Sequence, residues 1–386
     1  MEIRTPEESV TTPEARPIGR DGLPSLTSLR FFAAAFVVGY HLVRQVGPVT
    51  PVSMAFWYGR SGVTFFFVLS GVVLAWTYHA RRVPARVFWW RRFARIWPLL
   101  FTATVLSVAL YLAVGTRISA KEVVAALALV HAWFMDATIV RGGNGATWSL
   151  SDEAFFYLCF PLLLWALARS RRPVRQVAAT LVGTTAALAA VWILTRTLVT
   201  SPTVRTILTD YFPPVRILQF SIGVAAGVAL ARGWRPRISL PMSVGLVLAY
   251  HGVMLLWGAA VPDGSLWSAY SASQLFAGPV YLLLVLAAAS RDLRQESGRL
   301  ASPWLVKLGH WSFALYLVHD IVIRLLAATV GLPSDLWQRA ATWLVVVIAS
   351  QAIAAALYTW VEHPAERHLR GLVRLSPTTT LSGSRI

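Results

Sequence analysis

Apolar stretches about twenty residues long, separated by short polar segments, recur along the whole chain, and that is the length a helix needs to cross about 30 Å of hydrocarbon. They start near Thr27, Trp57, Trp97, Trp148, Val177, Pro213, Ser239, Leu266, Trp311 and Ala340. A shorter stretch, Glu122 to Asp136, is ambiguous. Counting it as a span would place Arg169, Arg171, Arg172 and Arg175 on the outer side, against the preference of Arg and Lys for the cytoplasmic side. It is therefore read as re-entrant or interfacial. With ten spans and a cytoplasmic N-terminus, 24 Arg and Lys fall on the inner side and 7 on the outer. The pattern predicts an all-α, polytopic membrane protein of about ten transmembrane helices with both termini cytoplasmic, placed in the plasma membrane.

Composition agrees and narrows the classes. The chain of 386 residues is 56% hydrophobic and only 13% charged, too apolar for soluble domains. Its net charge of +18 would suggest nucleic acid in a soluble protein. Here the basic residues cluster between apolar runs, so they orient helices against a lipid bilayer, and no nucleic-acid partner is expected. Residues 1–26 are polar, carry Pro6, Pro13 and Pro17, and lack the basic-then-apolar order of a cleavable signal. They are expected to form a disordered cytoplasmic tail, as are residues 371–386, leaving 27–370 as one transmembrane domain. The single cysteine, Cys159, permits no disulfide and no paired-cysteine metal site. No P-loop, GxGxxG or HExxH pattern occurs, so bound cofactors and metals have no sequence support.

Ionisable residues inside the apolar runs are where chemistry would sit. Arg30 and His41 interrupt the first run. Eleven residues apart, they project from one helix face about 16 Å from each other along the axis. The structural alternatives are a snorkelling Arg30 and an interhelical hydrogen bond at His41. The run Trp148-Ser149-Leu150-Ser151-Asp152-Glu153 opens the fourth span from outside, which puts Glu153 about 8 Å below the outer surface, at a depth where it meets His41. A carboxylate holding a histidine is the usual support for a general base. Alternatively, Asp152 and Glu153 are a helix N-terminal pair, with Ser149 or Ser151 as cap. Ser70 and Gly71 in the second span mark a close approach of a ligand or a neighbouring helix. Arg92 and Arg95, three apart on a short interfacial helix, present one cationic face suited to phosphate oxygens or to lipid headgroups. The ninth span carries His319, Asp320 and Arg324. Asp320 and Arg324 can neutralise each other at spacing four, which leaves His319 as a substrate-side polar contact.

Taken in order, these residues resemble the membrane acyltransferase family 3, which includes O-acetylases of envelope glycans and macrolide O-acyltransferases. The matching runs are Leu29-Arg30-Phe31 through Tyr40-His41, Phe65 to Val72, Arg92 to Pro98, Trp148 to Pro161, Leu315 to His319, and Val361-Glu362-His363-Pro364. The resemblance implies a ten-helix enzyme moving an acyl group, acetyl above all, from acyl-CoA as co-substrate to a hydroxyl of a sugar-containing envelope glycan or a secondary metabolite. It implies His41 as catalytic base, Glu153 as its polar partner, Arg30, Arg92 and Arg95 as donor contacts, and Ser70 in the substrate tunnel. Asp152 and the Val318-His319-Asp320 sequence depart from the family pattern and bear on the acceptor. A secondary transporter that couples ions through buried ionisable residues is the rival reading.

Overall fold

The computed structural model describes residues 22–81, 83–296 and 298–373, so most of both expected tails lies outside the described residues. Among the described residues, ten helices are long and apolar enough to cross a membrane: Pro24–Gln45, Pro51–Tyr78, Ala85–Ala113, Trp148–Ala168, Pro173–Leu198, Pro202–Ala231, Leu240–Ala260, Ala269–Leu293, Pro303–Thr329 and Leu336–Gly371. The Glu122–Asp136 stretch folds as a short helix, Ala120–Leu127, and one 3-10 turn, His131–Trp133, neither long enough to span. Most spans begin earlier in the chain than expected, and two of these differences bear on the site. The first span begins at Pro24 rather than Thr27, because Pro suits a first helical turn and Ser25 is tied to Asp292 by its N–H and hydroxyl, at 2.8 and 2.6 Å. The third span begins at Ala85, so Arg92 and Arg95 ride on a continuous extension of a membrane helix, not on a separate interfacial one.

Packing sorts the spans into an inner and an outer set. The second, sixth and eighth have 72–78% of their central residues buried, and the fifth, seventh and tenth only 17%. Small residues bring the inner pair together: a Cβ on Gly223 would stand 2.1 Å from the Val68 carbonyl oxygen, and one on Gly71 2.3 Å from that of Phe220. Gly309 likewise seats the ninth span on the first, its Cβ position 2.0 Å from the Thr27 carbonyl oxygen. Both ends of the described chain lie at the same end of the bundle, where Trp90 Nε1 donates to the Leu369 carbonyl at 2.7 Å.

Candidate active site

A cavity of about 600 Å³ opens at the end of the bundle that carries the termini. Its basic lining comes from Arg30 of the first span, Arg92 and Arg95 of the third, and Arg370 of the last. The last span reaches this far because a π-helical turn, Tyr358–Glu362, continues it into His363–Gly371. Arg95 is held there by hydrogen bonds to Glu362 and to Glu366, the latter at 3.0 Å. Arg30 Nε and Arg92 Nε are buried without a hydrogen-bond partner among the described residues, and Arg92 lies 5.9 Å from the rings of Phe88 and Tyr157. Opposite them, Tyr157 is within hydrogen-bonding reach of both Glu153 and Ser70. Glu153 and Tyr157 are one helical turn apart, so a single face of the fourth span presents both.

Ser149 and Tyr316 also line the cavity. Their hydroxyls are 2.8 Å apart, and Tyr316 also donates to the Ala146 carbonyl at 2.8 Å. Ser149 is thus a cross-span contact and not a cap; the residue before the helix, Thr147, directs its hydroxyl to the Asn144 carbonyl. One turn beyond Tyr316 on the ninth span is His319, fully buried, with ring centroids 6.0 Å from Tyr316 and 4.9 Å from His41. The imidazole pair therefore stands behind the Tyr316 wall of the cavity, and neither ring lines it. His41 is the more open of the two, with 22% of its side chain exposed.

His41 and Glu153 do not meet. Glu153 lies at the level of Arg30, which heads the charged groups bearing on it. The fourth span starts inside the protein: residues 142–144 and 146–150 are buried, and Asn144 Nδ2 donates to the Leu317 carbonyl at 2.7 Å. Depth counted from the outer surface therefore set Glu153 too shallow. The carboxylate at His41 is Asp320. Gln45 Nε2 stands 2.9 Å from His41 Nδ1 and 2.9 Å from Asp320 Oδ1, while Arg324 Nε donates to Asp320 Oδ2 at 2.7 Å. Asp320 is only 3.8 Å from His41 Nδ1. The Asp320–Arg324 pair forms as spacing four predicts, and it does more than cancel charge. Gln45, one turn after His41, carried no motif; its spacing was the only available signal.

Two further ionic groups are buried in the bundle. Arg60 Nη1 lies 2.9 Å from Asp210 Oδ2, and the guanidinium sits 4.2 Å from the Tyr270 ring centroid. Tyr270 in turn shares a hydrogen bond with Tyr40, the residue before His41. Arg216 and Asp152, both fully buried, face each other electrostatically without a direct ion pair.

Comparison with known proteins shows what the arrangement belongs to. The acyltransferase-domain profile matches residues 23–359. The chain belongs to acyltransferase family 3. Acyltransferase MdmB of Streptomyces mycarofaciens is 34% identical over 373 residues, covering 90% of this chain and 92% of the relative. Exopolysaccharide production protein ExoZ of Rhizobium meliloti is 28% identical over 322 residues, covering 81% and 91%. O-acetyltransferase OatA of Staphylococcus aureus is 30% identical over 168 residues, which is 39% of this chain and 26% of OatA. No solved structure matches the chain. This family 3 acyltransferase is a multi-pass membrane enzyme that transfers acyl groups to oxygen, and the transporter reading falls away.

Proposed function

We propose that the enzyme takes an acyl group, acetyl above all, from acyl-CoA in the basic cavity and delivers it to a sugar hydroxyl at the His41–His319 pair. The observation that carries this reading is the continuity from Arg30, Arg92 and Arg95, through Ser70 and Tyr157, to Tyr316, one turn below His319. Guanidinium groups bind phosphate oxygens by charge-assisted hydrogen bonds. Arg30 and Arg92, each with an unpartnered buried Nε, would take the donor's phosphates, and Arg95, fixed between Glu362 and Glu366, completes the basic wall. Glu153 would serve as a polar wall residue beside Arg30 and Tyr157, not as the partner of His41.

The acceptor oxygen attacks the thioester carbonyl carbon, the C–O bond forms and the C–S bond breaks. The hydroxyl proton passes through an imidazole to the departing sulfur, a transfer of the kind that contributes about 10²–10⁴-fold. The net reaction releases no proton. The excess of Arg and Lys at the end with the termini fits a cytoplasmic donor side in the plasma membrane, with the imidazole pair in the outer half. ExoZ, named for exopolysaccharide production, supports a glycan acceptor; a sugar-bearing secondary metabolite presents the same hydroxyl. Purified protein given acetyl-CoA and either acceptor should release free thiol and acylated product in equal amounts. Thiol release without acylated acceptor would refute the reading. His41→Ala should lower transfer by at least about a hundredfold.

A further inference from the structure

Resting on that reading, we infer that His319, not His41, receives the acceptor's proton, and that His41 donates a hydrogen bond to the oxygen of the tetrahedral intermediate. The hydrogen-bond network fixes which ring nitrogen of each histidine carries a proton. Asp320 Oδ2 accepts from Arg324 Nε, and the carboxylate can offer Gln45 only an acceptor. The Gln45 atom lying 2.9 Å from Asp320 Oδ1 must therefore be its amide nitrogen. The same nitrogen is 2.9 Å from His41 Nδ1, so it donates there as well. His41 Nδ1 is occupied as an acceptor, and the neutral ring bears its hydrogen on Nε2. His41 thus has a donor to offer and no vacant lone pair.

His319 has the opposite polarity. Its Nδ1 lies 3.2 Å from the Leu315 carbonyl, which can only accept, so Nδ1 bears the hydrogen and Nε2 the lone pair. That Nε2 is fully buried with no hydrogen-bond partner among the described residues. An unmet buried acceptor is costly, and here it stands beside the donor ring, 4.9 Å between centroids. The groups facing the pair are Asp320 and Arg324 on the ninth span, Tyr316 one turn below, Tyr40 on the first span, and Arg60 on the second. In the reaction, His319 Nε2 takes the hydroxyl proton as the C–O bond forms. It returns that proton to sulfur as the C–S bond breaks. His41 Nε2–H stays bonded to nitrogen throughout and steadies the oxyanion. Asp320, Gln45 and Arg324 position the His41 ring.

Substitutions that keep one role and delete the other separate the two histidines. His41→Gln retains an N–H donor but no base; His319→Asn retains the bond to the Leu315 carbonyl but loses the Nε2 lone pair. Acetyl transfer to the acceptor would be measured against pH for wild type, His41→Ala, His41→Gln and His319→Asn, each first checked for a wild-type melting transition in detergent. The expected result is that His41→Gln recovers at least about tenfold over His41→Ala. His319→Asn should lose about 10²–10⁴-fold together with the acidic limb of the kcat/KM profile. Equal loss in His41→Gln and His41→Ala, or an acidic limb that persists in His319→Asn, would overturn the assignment. Wild-type transfer in the same assay keeps the proposed function standing in either case, and its absence sinks that function separately.

Discussion

Asp210→Asn tests the buried charge network that borders the imidazole pair. The substitution preserves size and leaves oxygen and nitrogen atoms for Thr209 and Ser271, whose hydroxyls donate to the carboxylate at 3.1 and 3.3 Å. What it removes is the only negative charge paired with Arg60 among the described residues, where side-chain exposure is 6% for Arg60 and nil for Asp210. Removing one partner of a buried pair costs about 3–5 kcal/mol, because the remaining charge is left uncompensated in a low-dielectric interior. The Tyr270 ring beneath the guanidinium is present before and after, so it offsets none of this difference. At about 2 °C per kcal/mol, the lower end for larger chains, the melting temperature in detergent should fall by roughly 6–10 °C. Replacing both partners with apolar residues of similar volume, Arg60→Met with Asp210→Leu, should return the melting temperature to within about 4 °C of wild type, since apolar packing commonly matches a buried ion pair. A single variant that melts within about 2 °C of wild type would refute the reasoning, and so would a double variant no more stable than the single one.

Three other expectations follow from the geometry. Gly223→Ala pushes a methyl group to 2.1 Å from the Val68 carbonyl oxygen, where the obstacle is backbone and cannot swing aside; a loss of about 1–3 kcal/mol in a thermal melt is expected. Arg30→Met and Arg92→Met should each raise the KM for acyl-CoA by about ten- to a hundredfold, the worth of a hydrogen bond to a charged group, with kcat changed less; an unaltered KM in both would take the donor out of this cavity. Burial pushes the His131 imidazole, in the turn between the third and fourth spans, down to about 4. The unfolded chain therefore binds the proton more readily between pH 6.5 and 4. Stability should be complete above about pH 6.5 and should decline by up to about 3 kcal/mol as pH falls to 4. His131→Asn should flatten that decline in melts taken across the window.

The fold was legible because its determinant is one-dimensional. A bilayer demands apolar runs of fixed length, and the Arg clusters between them order the spans. Arg30, Ser70, Arg92, Arg95 and Glu153 converge on one cavity because helical spacing places each on an inward face. Pairing across spans was not legible. Gln45, which bridges His41 to Asp320, lies 275 residues from that carboxylate along the chain, and nothing in either segment's pattern names the other. The depth of Glu153 was misjudged because its helix begins within the protein, below a buried loop that hydropathy alone reads as surface. Asp210 and Arg60 each look like an ordinary loop or helix-end charge until the packing around them is known.

The most direct measurement reconstitutes the purified enzyme in vesicles of known orientation and supplies acetyl-CoA to one face and the sugar acceptor to the other. Acylated acceptor should form with matching thiol release only when the donor is given to the face that exposes the chain termini. Transfer that proceeds equally with the donor on the opposite face, or none from either, would contradict a thioester entering at Arg30 and reacting at the buried imidazole pair.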